Sequence, residues 1–252
     1  MKLGAQFYTL RERATTPEGI ENCFRAMHEI GYEVAQMSAI GPIAPERLRE
    51  FSAQYSLPIT CTHSPFDRIV NDTDALIREH KIYGCPVIGL GGMPAEYKKS
   101  IESARAFLAC IREPMKKIAD AGMRFAYHNH AFEFCAEDGS DIFEILLEEA
   151  PELNFILDVY WVAYAGHDPL AYVRRIGRER MTNIHFKDML TAPRGPICPC
   201  GAGVIDFASL AKLCEQVGIE NALVEQDNAP NLGDEFEQMA ESYRHLRPLI
   251  RK

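Results

Sequence analysis

Short apolar runs alternate with longer amphipathic stretches along the whole chain. The runs at 3–10, 33–38, 59–63, 87–90, 125–130, 155–160, 182–187 and 222–226 read as strands. Stretches at 17–30, 45–56, 73–83, 99–121, 141–149, 168–177, 206–217 and 234–247 carry helical spacing between and after them. Thr16-Pro17 and Asp168-Pro169 each read as a cap residue followed by proline at the first helical position. Gly31, Gly122 and Gly218 fall just after helices, where a left-handed C-cap favours glycine. Strand and helix alternating in this way through 252 residues predicts one domain, 1–252, folded as a single (β/α)8 barrel of the α/β class. An open doubly wound sheet is the competitor. It usually carries a glycine-rich phosphate turn after its first strand. Here that turn is Thr9-Leu10-Arg11-Glu12-Arg13, and Gly89-Leu90-Gly91-Gly92 completes no GxGxxG pattern.

Four of the apolar runs turn polar at their C-terminal ends. They are Arg124-Phe-Ala-Tyr-His-Asn-His130, Asn154-Phe-Ile-Leu-Asp-Val-Tyr160, Met181-Thr-Asn-Ile-His-Phe-Lys-Asp188 and Asn221-Ala-Leu-Val-Glu-Gln-Asp227. A buried parallel strand is an apolar run, and an ionisable group at its end is costly unless paired or bound. Residues two apart share a face, so His128 goes with His130, Asp158 with Tyr160, His185 with Lys187 and Glu225 with Asp227. Four such pairs predict one shared polar site at the C-terminal mouth of the barrel. A divalent metal held by imidazole and carboxylate accounts for one member of each pair: His128, Asp158, His185 and Glu225. The stretch 190–204, with three Pro and three Gly, follows the seventh strand and is expected to overhang the mouth as a lid or substrate loop.

Composition narrows the partners. A net charge of -9 opposes a nucleic-acid partner, whose phosphates it would repel. It leaves room for a small anionic substrate, because a local site can oppose the global sign. No apolar run approaches the ~20 residues that cross a bilayer, and the first residues show no secretory signal pattern, so a cytoplasmic protein without a membrane partner is expected. The eight cysteines are scattered as reduced, mostly buried residues. Cys198-Pro-Cys200 is the one close pair, without a second pair at zinc-finger spacing.

Taken together, Leu3-Gly-Ala-Gln-Phe-Tyr-Thr-Leu-Arg11, Tyr127-His-Asn-His-Ala-Phe-Glu-Phe134, Leu157-Asp-Val-Tyr-Trp161, Ile184-His-Phe-Lys-Asp188, Gly201-Ala-Gly-Val-Ile-Asp206 and Val224-Glu-Gln-Asp227 make the chain resemble the xylose isomerase-like TIM barrels. That superfamily holds sugar phosphate isomerases and epimerases, inosose dehydratases and endonuclease IV. The resemblance covers essentially the whole chain. It implies a metal held by Glu, Asp, His and Glu from successive strand ends, and Asp158, His185 and Glu225 match the last three positions. At the first position His128 stands where glutamate is usual. This set carries charge -2 instead of -3, which weakens the hold on Mg²⁺ and favours Mn²⁺ or Zn²⁺, with Co²⁺ also suited to imidazole. A metal-bound His128 has no free lone pair for base catalysis, so His130, Glu133 or Lys187 would supply the second proton-transfer group beside Glu225.

The resemblance implies an isomerase or epimerase of a sugar or sugar phosphate, removing a proton next to a metal-polarised carbonyl. Glu225, His130 and Lys187 are the catalytic candidates. Glu133, Trp161, His63 and Lys187 are the candidate substrate contacts, and Gln36 a neutral hydrogen-bond partner. A dehydratase of a keto-polyol or keto-glycoside on the same site is the first alternative, and a non-catalytic sugar-binding protein the second. Phosphodiester hydrolysis needs more metal ligands than eight histidines supply, three of them (His28, His80 and His245) on predicted helices. The small-molecule partner is expected to be a carbohydrate, with a homodimer or homotetramer as the expected assembly.

Overall fold

The structure, a computed structural model, describes residues 1–250. Its strands are β1 (Lys2–Gln6), β2 (Val34–Ser38), β3 (Ile59–His63), β4 (Val87–Leu90), β5 (Arg124–His128), β6 (Asn154–Asp158), β7 (Met181–Phe186), β8 (Asp188–Met189), β9 (Ile197–Cys198) and β10 (Asn221–Val224). Eight of them form one parallel sheet in the order β3-β2-β1-β10-β7-β6-β5-β4. The sheet closes on itself where Ser64 N, just past β3, donates to Gly89 O in β4 at 2.8 Å. The helices are α1 (Pro17–Ile30), α2 (Pro45–Gln54), α3 (Phe66–Asn71), α4 (Thr73–Tyr83), α5 (Ile101–Asp120), α6 (Ile142–Glu149), α7 (Val159–Tyr164), α8 (Pro169–Arg180), α9 (Phe207–Val217) and α10 (Glu235–Leu246). Each of the eight strands is followed by at least one helix, which makes the molecule the (β/α)8 barrel that the sequence predicts. Thr16 and Asp168 cap α1 and α8 ahead of their prolines, and Gly31 and Gly218 close α1 and α9 with φ of 114° and 87°.

The strand alternation builds two separate apolar regions. Outward residues such as Phe125, Phe155, Leu157 and Phe186 pack against the helices through Phe24, Phe107 and Phe143 in one continuous core. Inward residues Val34, Cys61, Val87, Ala126, Ile156 and Leu223 form a second, smaller cluster inside the barrel. The space there is tight. A Cβ on Gly4 would lie 2.4 Å from Leu223 Cδ2 and 2.6 Å from Val34 Cγ2, so β1 carries no side chain at that level.

Four strands stop sooner than their apolar runs suggest, and side chains near their ends cause it. Gln6 Oε1 accepts from Tyr8 N at 3.0 Å, starting a 3-10 turn over Phe7–Leu10 where strand was expected. Asn129 takes over the ladder after His128: its Oδ1 accepts from Asp158 N at 2.9 Å. Asp158 Oδ1 accepts from Tyr160 N and Trp161 N at 2.9 and 3.2 Å, which turns the expected strand residues Val159 and Tyr160 into the start of α7. Thr9 Oγ1 accepts from Gln226 N at 2.9 Å, ending β10.

The 190–204 stretch is more ordered than a plain loop. Strands β8 and β9 pair antiparallel across it. The fully buried Asp188 carboxylate accepts from Met189 N, Gly201 N, Gly203 N and Ile205 N at 2.8–3.1 Å. Such convergent backbone donors fix a carboxylate and the loop around it. The stretch meets the mouth through Gly195 O, which accepts from Tyr160 OH, and Ile197 O, which accepts from Asn228. Among the described residues it contributes nothing to the wall of the main cavity. Among the described residues no helix is long and apolar enough to cross a membrane.

Candidate active site

Two residues beyond five of the six members of the inner apolar cluster, the same faces turn polar; beyond Val87 stands Gly89. Val34 leads to Gln36, Cys61 to His63, Ala126 to His128, Ile156 to Asp158 and Leu223 to Glu225; on β7, Asn183 leads to His185. Apart from the half-buried His63, this polar layer is buried nearly completely. One donor atom from each of His128, Asp158, His185 and Glu225 lies within 4.8 Å of all the others. His128 Nε2 is 3.3 Å from Asp158 Oδ2 and 3.8 Å from Glu225 Oε2. His185 Nδ1 is 3.0 Å from Glu225 Oε2 and 3.9 Å from Asp158 Oδ2.

Hydrogen bonds behind the two imidazoles decide which nitrogen faces the carboxylates. His128 Nδ1 sits 3.3 Å from Gly91 O, which only accepts, so Nδ1 carries the proton and Nε2 keeps its lone pair. His185 Nε2 sits 2.7 Å from Gln36 Oε1, so it donates there and Nδ1 keeps its lone pair. Burial and then the His185 ring push His128 down to about 3, which keeps it neutral. Four lone-pair atoms therefore converge, two of them on carboxylates. A divalent ion with bonds of about 2.1 Å sets neighbouring ligand atoms roughly 3.0–3.4 Å apart and opposite ones about 4.2 Å apart. The four spacings given above, 3.0–3.9 Å, lie between those two values, and imidazoles fixed from behind by a carbonyl or amide are the usual form of a ligating histidine. The four residues fit a divalent metal.

Lys187 lies alongside, 1% exposed. Its Nζ is 2.7 Å from Asp227 Oδ1, 3.3 Å from Glu225 Oε2 and 3.5 Å from Asp158 Oδ2. Burial opposes its charge, but Glu225, Asp158 and Asp227 outweigh burial and hold the ammonium above its usual range. For Glu225 the order is the same: burial raises it, and the Lys187 ammonium pulls it well below the usual carboxylate range. Asp227, buried beside Glu225, is pushed up to about 6.

His128, Lys187, Glu225 and Asp227 line a cavity of about 530 Å³ at the mouth, together with His63, His130, Ser64, Tyr8 and Lys98. His63 Nδ1 is 3.4 Å from Gln6 Nε2, and its Nε2 is buried without a partner. His130 Nδ1 is likewise buried without a partner, and burial followed by His128 pushes the ring down to about 3. The wall on the β4 side is glycine for a reason: a Cβ on Gly91 would lie 2.9 Å from His63 Nδ1.

Glu133 and Trp161 stand behind the wall. Glu133 is fully buried, with Oε1 accepting from Tyr127 OH at 2.6 Å and Oε2 from His130 N at 2.8 Å. Burial raises it to about 7 against those hydrogen bonds. It holds the backbone of His130 in place and has no oxygen turned to the cavity. Trp161 packs 5.3 Å from the His130 ring and lies 5.1 Å beneath the Lys187 ammonium. Asp227, Ser64, Tyr8 and Lys98 line the cavity without having been singled out as substrate contacts. Asp227 was legible two residues beyond Glu225. Ser64, Tyr8 and Lys98 reach the cavity through loop paths that strand periodicity does not encode.

Comparison with known proteins agrees with this architecture. The profile of the family described as xylose isomerase-like TIM barrel matches residues 18–249. A sugar phosphate isomerase/epimerase from Parabacteroides distasonis superposes with a TM-score of 0.82 over 100% of both chains at 20% identity. A probable 3-DHS dehydratase from Bacillus anthracis gives a TM-score of 0.75 over 98% of this chain and 99% of its own, at 15% identity. An L-ribulose 3-epimerase gives 0.75 over 99% and 94% at 13% identity. At these identities the likeness is one of fold. Among curated proteins none matches the sequence significantly.

Proposed function

The chain belongs to the xylose isomerase-like TIM-barrel family, and on that premise we propose that it is a divalent-metal-dependent isomerase or epimerase of a small keto-carbohydrate. The observation that carries this reading is the convergence of His128 Nε2, Asp158 Oδ2, His185 Nδ1 and Glu225 Oε2 on one point at the floor of an open cavity. When bound there, Mn²⁺ or Zn²⁺ would polarise a substrate carbonyl and acidify the neighbouring C–H. The chain supplies the rest. Glu225 meets its buried neighbours through Oε2, which leaves Oε1 as the base for the α-proton. Lys187 is held protonated by three carboxylates, so it donates to the developing oxyanion and does not act as a base. His63 and His130 line the cavity and each carries an unpartnered ring nitrogen, which supports them as contacts to substrate hydroxyls.

The substitution of His128 for a glutamate leaves one carboxylate base facing the substrate instead of two. A second reading follows from that asymmetry. With Glu225 as base and the Lys187 ammonium as acid, the same site expels hydroxide from a keto-polyol or keto-glycoside, as a dehydratase. A solved neighbour bears the name of a probable dehydratase, and another that of an epimerase.

The test is a screen of keto-sugars and keto-polyols on metal-loaded protein beside Asp158→Asn and Glu225→Gln. Metal-dependent turnover that both substitutions abolish supports the reading, with an epimer or an alkene as product deciding between its two forms. Turnover that survives both substitutions overturns it.

A further inference from the structure

A second cleft opens beside the active-site cavity, between the loop after β2 and the α3–α4 pair. Its volume is about 350 Å³, within the range of small-molecule sites. The two cavities share Ser38, Ala39, His63, Ser64 and Pro65, so they are lobes of one depression. The main lobe carries the charged Lys98, Lys187, Glu225 and Asp227, whereas Met37, Ile40, Pro42, Ile43, Leu48 and Leu76 give the second one apolar side. Its charged members, Arg68 and Glu79, neutralise one another in a two-pronged pair at 2.8 and 2.9 Å. At the junction Ala39 holds φ of 53°, a left-handed backbone that costs a residue with a Cβ roughly 1–2 kcal/mol. Strain of this kind gathers at ligand clamps.

The floor is a hydrogen-bond chain with a fixed direction. His80 Nδ1 is 2.7 Å from Leu76 O, so Nδ1 donates and Nε2 accepts from Thr62 Oγ1 at 2.9 Å. Thr62 has then spent its hydrogen and accepts from Ser64 Oγ at 3.0 Å. Ser64, at the junction, is left with lone pairs only and calls for a ligand hydroxyl as donor. At the far side the phenol oxygen of Tyr83 lies 2.9 Å from the protonated His80 Nδ1 and accepts from it, so its own O–H is turned to other acceptors.

We propose that the second cleft is a subsite for a planar apolar substituent carried by the carbohydrate, with the sugar in the main lobe, one hydroxyl on Ser64 and a polar edge of the ring at Tyr83. The sugar half rests on the function proposed above; the apolar half stands on the cleft alone. An aryl glycoside is the simplest ligand of this form.

The probe is 4-nitrophenyl β-D-glucopyranoside, followed by saturation-transfer NMR, which detects millimolar binding without turnover. The wild-type protein is compared with Ile40→Trp and Ile43→Trp. Both positions are only partly buried and outside the main lobe, and thermal melts confirm that the variants fold. The expected result is saturation concentrated on the aryl protons in wild type and about tenfold weaker aryl binding in either filled variant, with metal content unchanged. No aryl saturation in wild type, or the same saturation in both folded variants, overturns the proposal. Metal content on the same samples separates the two readings. A protein that takes up no metal yet docks the ring defeats the isomerase reading alone.

Discussion

Two levels inside the barrel, two residues apart on the same strands, behave as opposites. The lower level is Val34, Cys61, Val87, Ala126, Ile156 and Leu223, closely packed and apolar, with Asn183 of β7 as a polar member. The upper level is Gln36, His63, His128, Asp158, His185 and Glu225, polar throughout and buried except at the half-buried His63. Backbone geometry does not distinguish them, since strand periodicity brings both to the same face. The lower level gains free energy by removing methyl and methylene groups from water. The upper level costs free energy unless its lone pairs meet a cation, and it is tolerated because Lys187 and a metal-ligand geometry answer the charge. Burial alone is therefore no guide to whether a residue stabilises or reacts; the unmet lone pair is.

The sharpest separation of the levels is by turnover. Asp158→Asn keeps the cap on α7 but removes the ligand charge, and it is expected to lower keto-sugar turnover by roughly 10³-fold, about 4 kcal/mol of barrier. Steady-state kinetics at saturating metal measures this, and a variant within a factor of a few of wild type would merge the two levels.

Next in size is stability. Leu223→Ala or Ile156→Ala opens a cavity in the lower level and is expected to cost about 2–5 kcal/mol. Urea unfolding reads this, while metal bound per folded molecule stays as in wild type.

A third test uses a buried histidine outside both levels. His80 has both nitrogens satisfied, and burial pushes it down to about 4. Its unfolded form titrates near 6.5, so the unfolded state takes up a proton first as pH falls. Its contribution to stability is present above about pH 6.5 and lost progressively towards pH 4, up to roughly 3 kcal/mol in all. His80→Gln is expected to flatten the acid limb of the unfolding midpoint without touching metal content at neutral pH.

The smallest expected effect is at Gln36, which holds His185 from behind. Gln36→Ala is expected to weaken metal binding by about 10–100-fold, read by competition with a chelator, with the fold intact.

The same contrast explains what the sequence disclosed. The runs predicted at 59–63 and 87–90 are β3 and β4 as they stand, and the four clustered donors were readable because a polar residue at the end of an apolar run is conspicuous. Strand ends were not readable from Gln6, Asn129, Asp158 and Thr9, because there a side chain accepts in place of the backbone ladder, within two residues at Gln6 and Asp158 and across 29 and 217 residues at Asn129 and Thr9. Val159–Tyr164 is composed like a strand and becomes α7 only because Asp158 caps it. Glu133 was expected to face substrate. Its place behind His130 depends on Tyr127 OH, a contact that no spacing rule anticipates.

The account stands or falls on the convergence of four atoms. A crystal grown with Mn²⁺ or Zn²⁺ and measured at the metal's absorption edge tests it directly. The prediction is one strong anomalous peak about 2.0–2.3 Å from His128 Nε2, Asp158 Oδ2, His185 Nδ1 and Glu225 Oε2. A well-ordered site without that peak, or a peak that excludes His128 and Glu225, would contradict it.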